Sequence, residues 1–157
     1  MEKIIENFEA FIKEREMPLS KREIQNGQLL FNGAFRIRKN LSLPFGVVFD
    51  NKQNTKTIDY QVVYHRLAYV RDFDKKVEVL ELLNELNEMK SGYYRFCLAG
   101  DGEIYMRLLA RTTEDVQPVY EMMVMGGNIA KTLLPEIEKV VGENTNAPDQ
   151  APATDKK

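Results

Sequence analysis

The sequence predicts an α+β domain, an antiparallel five-stranded sheet with three helices in the order α-β-β-β-α-β-β-α. Apolar residues recur at helical spacing near both ends of the chain and in a leucine-rich central stretch. Between those stretches the period falls to two, the repeat of a strand with one buried face. Late in the chain, Gly100-Asp101-Gly102 separates two short alternating runs, a strong hairpin signal because small and Asx residues tolerate the positive φ angles of a tight turn.

Ile4, Ile5, Phe8, Phe11 and Ile12, with Glu2, Lys3, Glu6, Glu9 and Lys13 between them, define a surface helix with one buried stripe. Pro18 limits it, and the polar stretch Leu19 to Gly27 reads as a connector. From Gln28, Phe31, Gly33, Phe35 and Ile37 share one strand face. Leu43 to Asp50 is the second strand, Asn51 to Thr55 a polar turn, and Thr57 to Val70 the longest strand, rich in β-branched and aromatic residues. Asp72 or Asp74 caps a helix whose stripe is Val79, Leu82, Leu83 and Leu86, ending near Met89. The Tyr93–Arg111 hairpin follows. Thr112 to Asp115 marks the next helix start, with Pro118 in its first turn. That helix runs to about Val141, kinked or split at Pro135. Residues 1–142 therefore form a single domain, and the Asn-, Ala- and Pro-containing segment 143–157 reads as a disordered tail.

A length of 157 residues suits one domain with a real core. The formal net charge of −2 gives no general attraction to nucleic acid. No apolar run approaches the ~20 residues that span a bilayer, and the acidic start differs from a secretory signal. The lone cysteine, Cys97, excludes an internal disulfide framework, and a cytoplasmic location follows as the simplest expectation.

The LLNELN helix end (Leu82–Asn87), the Ser91-Gly92 break and the GDGEIYMR hairpin (Gly100–Arg107) resemble the YbjN-like family, described as bacterial sensory transduction regulators. The element order resembles the type III secretion chaperone-like fold. The resemblance covers roughly residues 1–142 and implies a non-enzymatic, often dimeric, protein-binding module with no catalytic residues to carry over.

Reactive chemistry is sparse. His65 is the single histidine, and no serine or cysteine motif points to it as a base. Cys97 lies inside a strand, where a free cysteine is ordinarily a small buried hydrophobe. Gly100-x-Gly102 lacks the Lys-Ser/Thr of a phosphate loop and sits between strands. No metal or cofactor motif is present, so no cofactor is expected. Asn84 and Asn87 share a helix face and suit capping or a bond to a neighbouring loop. Gly126-Gly127 signals a bend or a close approach to the sheet or to a second subunit.

The expected function is recognition of an extended or partly unfolded polypeptide through apolar sheet and helix surface, by a homodimer. Both faces of Thr57–Val70 are partly apolar, which makes Val63, Leu67 and Tyr69 candidates for a partner or dimer contact. A register shift at a bulge between Tyr64 and His65 is the alternative, and would fit these residues inside one subunit. Met122 and Met125 are further partner candidates, because flexible thioethers suit varied apolar surfaces. The second functional expectation is binding of RNA or another anionic ligand, should Arg36, Arg38, Lys39, Arg66, Arg71, Arg107 and Arg111 converge on one sheet face.

Overall fold

A computed structural model of the chain describes residues 2–51 and 55–144. Its elements are α1 (Glu2–Glu14), β1 (Ser20–Glu23), β2 (Leu29–Arg38), β3 (Leu41–Phe49), β4 (Ile58–Tyr69), α2 (Lys76–Met89), β5 (Arg95–Leu98), β6 (Glu103–Thr112) and α3 (Gln117–Val141). All neighbouring strands are antiparallel, in the order β1-β2-β3-β4-β6-β5. The architecture is α+β with three helices, as expected, but the sheet has six strands and not five.

The additional strand is β1, inside the stretch read as a connector. All four of its side chains are exposed, so it has no alternating apolar pattern. Backbone pairing with β2 holds it, from Ser20 opposite Asn32 to Glu23 opposite Leu29. Lys21 bonds Glu9 of α1 at 2.9 Å. A short, charged strand is what a sheet edge tolerates.

The helices cover one face of the sheet. Ile4, Ile5, Phe8 and Ile12 of α1 are buried. Phe8 packs edge-on against Phe31 of β2 and Phe49 of β3, with ring centroids 4.9 Å away in both cases. α3 crosses β2 and β4. Asp72 caps the 3-10 turn that leads into α2, and Asp115 accepts from the Gln117 amide at the start of α3. α3 continues through Pro135, which is exposed; the turn without a backbone bond faces water, and the expected split does not occur.

Gly126 and Gly127 are buried within an unbroken α3, and they bring it close to the sheet. A Cβ on Gly126 would stand 2.5 Å from Tyr64 and Tyr94 atoms, and one on Gly127 would meet the Phe35 ring. Through this gap the Tyr94 hydroxyl donates to the Met122 carbonyl at 2.6 Å, and Tyr64 donates to the Met123 carbonyl. Burial pushes the pKa of both hydroxyls up, so they stay protonated as donors.

Ordered contacts run past the expected boundary at Gly142. The Asn144 side chain donates to the carbonyls of Arg66 and Leu67, at 2.9 and 2.6 Å. Its own carbonyl accepts from Arg38, whose guanidinium also grips Glu138 through two bonds of 2.7 and 3.0 Å. The remainder of the tail, 145–157, and the centre of the Asn51–Thr55 turn lie outside the described residues.

Candidate functional site

The long strand β4 decides which sequence candidates reach the surface. Its pairing with β6 shifts register between Tyr64 and Ala68, and Arg66 within the shift has φ 59°. This is a bulge, and it re-aims the side chains beyond it. Tyr64 and Leu67 therefore both face the core, each 0% exposed. Leu67 is thus corrected from a contact residue to a core residue. Tyr69 is half-buried, with Arg71 over its ring at 5.3 Å. Val63 stands on the open sheet face, and so does Tyr69, opposite Glu103 beyond the bulge.

Two side-chain partners hold the bulge. Glu103 accepts from the Arg66 amide at 2.8 Å, and Asn144 donates to the Arg66 carbonyl. The His65 imidazole lies 3.6 Å from the same Glu103 carboxylate. Burial pushes the Glu103 pKa up, but the nearby His65 imidazole and the bond from the Arg66 amide outweigh it and leave the carboxyl below its ordinary range.

The α3 methionines separate in the way helical spacing requires. Met123 is core, 1% exposed, and Met122 packs half-buried against the core. Met125 reaches a groove of about 820 Å³ on the outer side of α3. Tyr120, Val124, Met125, Ile129 and Leu133 line it together with Glu121, Asn128, Thr132, Glu136 and Lys90. Tyr120 and Val124 lie on one flank of α3, Ile129 and Leu133 on the other, and the exposed Glu121, Asn128 and Thr132 project between them. Lys90 and Glu136 pair at 3.1 Å and tie the end of α2 to α3. Asn87 does the same for α2 and the sheet, since its amide accepts from the Phe96 N–H at 2.7 Å and donates to the Phe96 carbonyl at 3.0 Å.

The strand cations converge only in part. Arg36, Arg107 and Arg111 stand on the open face with Val63. Arg38 turns to Glu138, and Arg71 lies over Tyr69. Arg22 and Arg95 join the open face although neither was singled out, Arg22 because β1 carries no apolar signal. Leu30, Val48 and Leu109 were missed there too, as were Tyr120, Val124 and Ile129 in the groove. The i, i+4 pairs 120/124 and 129/133 lie about half a turn apart around α3, so no single helical stripe marks them as one surface.

Nucleophile and base are kept apart. Cys97 is half-buried on the open face, not in the core, and stands opposite Tyr105. The His65 ring stacks on the other side of Tyr105, with centroids 6.4 Å apart. One strand therefore separates Cys97 from His65, about 9–10 Å at the spacing of paired strands, beyond the ~3 Å reach of a nucleophile and its base. Among the described residues no three His, Cys, Asp or Glu side chains gather closely enough to hold a metal ion, and no helix is long and apolar enough to cross a membrane.

No protein-family model matches this chain, and no curated protein matches it.

Proposed function

We propose that the chain is a non-enzymatic polypeptide-binding module, as its resemblance to the YbjN-like family and to type III secretion chaperones implies. The observation that carries this reading is the α3 groove: five apolar side chains in one depression of about 820 Å³ on a helix whose opposite face is fully packed. A lining that mixes five apolar side chains, one of them a methionine, with polar ones suits a partner segment that is itself amphipathic. The separation of Cys97 from His65 supports binding over covalent catalysis.

The test is co-purification from the native cell with wild type beside Met125→Glu and Val124→Glu. A partner retained by wild type and lost by both variants, with their thermal midpoints and circular dichroism unchanged, is the expected result. Identical capture by all three proteins overturns the reading.

A further inference from the structure

Charge divides between the two layers of the fold. The six strands carry eight Lys or Arg against three Asp or Glu, whereas the three helices carry five against eleven. Lys21 and Arg38 turn to acids of the helices, but Arg22, Arg36, Arg95, Arg107 and Arg111 stand on the open face, so a chain with a formal net charge of −2 presents a basic sheet surface there.

The register shows what this side offers. Leu30, Val48, Gln61 and Leu109 form one row across the open face, with Arg22 at its β1 end. Asn32, Gly46, Val63 and Arg107 form the next. Leu109 is 65% exposed. Leu30 leans over Gly46, where a Cβ would come within 2.8 Å of it, and a depression of about 400 Å³ opens beside them toward Asn32, Pro44 and His65. The centre of the face is aliphatic apart from Gln61, and arginines stand around it. The two carboxylates here are already engaged, Asp59 with Arg111 at 2.9 Å and Glu103 with the Arg66 amide at 2.8 Å. Arg22, Arg36 and Arg107 make no ion pair among the described residues.

We propose that the open sheet face docks an acidic polypeptide segment in which apolar residues alternate with carboxylates. The apolar residues sit on the strip of Leu30, Val48, Val63 and Leu109, and the carboxylates meet the guanidiniums of Arg22, Arg36 and Arg107, which stand at separate points around it. A second copy does not suit this face, because it would bring arginines against arginines with no free carboxylate between them. Single-stranded nucleic acid wants aromatic platforms for its bases. Here the central side chains are aliphatic apart from Gln61, and the two tyrosines of the face are half-buried, Tyr69 under Arg71 and Tyr105 against His65. The open face and the α3 groove are separate surfaces, so either can fail without the other.

The experiment is fluorescence anisotropy with the full chain and labelled probes: a peptide of alternating leucine and glutamate, its leucine–lysine counterpart and a thymidine oligonucleotide. The leucine–glutamate peptide is expected to bind, to weaken at high salt, and to lose at least tenfold in affinity with Arg107→Glu, Arg36→Glu or Leu109→Ser. Met125→Glu leaves that affinity unchanged. The proposal is overturned if the leucine–lysine peptide binds equally well, if the oligonucleotide binds more tightly, or if the arginine variants bind like wild type. It is also overturned if wild type sediments as a dimer that Leu109→Ser splits, because the occupant is then a second copy.

Discussion

Tyr94 and Gly126 share one site: the tyrosine hydroxyl oxygen stands 2.5 Å from where a Cβ on residue 126 would begin. Glycine inside a helix costs about 1 kcal/mol relative to alanine, so Gly→Ala in an exposed helix stabilises. At Gly126 the sign reverses. The new methyl displaces the Tyr94 hydroxyl and the Tyr64 ring, and breaks the bond to the Met122 carbonyl. We expect Gly126→Ala to lower stability by about 2 kcal/mol or more in urea unfolding. Tyr94→Phe in the same background removes the clashing hydroxyl, and the two changes together are expected to cost less than their sum. A neutral or stabilising Gly126→Ala contradicts the close approach.

Asn87 acts as a surrogate strand residue for β5. Phe96 directs its N–H and carbonyl away from β6, and the Asn87 amide satisfies both. Asn87→Ala leaves two polar groups of a sheet edge unpaired, at about 1–3 kcal/mol. It also opens that edge to other chains. Expected outcomes are a lower thermal midpoint and concentration-dependent light scattering that Asn84→Ala, on an exposed position, does not produce.

Hydrogen bonds fasten the end of the described chain to the sheet and to α3. Asn144 links Arg38 and Glu138 at the end of α3 to the Arg66 and Leu67 carbonyls of the bulge. Asn144→Ala is expected to cost about 1–2 kcal/mol, because both carbonyls lose their donor. Truncation after Gly142 should reproduce at least that loss. A truncated protein with an unchanged midpoint would return the boundary to Gly142.

How much was legible follows from which signals are local. α1, β2, β3, α2 and the β5–β6 hairpin announce themselves through period and turn residues, and the structure places all of them within a few residues of their expected bounds. β1 is held by backbone pairing and by the Lys21–Glu9 ion pair, neither of which leaves an apolar alternation in the sequence. The β4 bulge depends on Glu103 and Asn144, far from Arg66 in sequence, so an apolar strand with two apolar faces is indistinguishable from a bulged one until its partners are known. Leu67 was misplaced for this reason. The Gly126-Gly127 pair shows a close approach in sequence, but that Tyr64 and Tyr94 fill the space is a tertiary fact. For the candidate surfaces, Met125 and Val63 were visible, and Val124 lies beside Met125 on the same turn, whereas Ile129, Leu30 and Leu109 come from another turn and from other strands.

Glu103 makes the bulge sensitive to acid. Its carboxylate is the acceptor for the Arg66 amide and faces His65, and its pKa in the fold lies below the ordinary range. A depressed folded-state pKa contributes stability that is complete above the unfolded value of about 4.3 and is lost as pH falls through the folded value. Glu103→Gln keeps an oxygen for the Arg66 amide but removes the charge. The variant is therefore expected to be less stable than wild type near neutrality, with the gap closing as pH falls below about 4. Urea midpoints of the two proteins across that range check this. Because every other carboxylate titrates in both proteins, only the difference between them reports Glu103. A gap that stays constant with pH would mean that the carboxylate charge does not hold the bulge and that the substitution acts through packing alone.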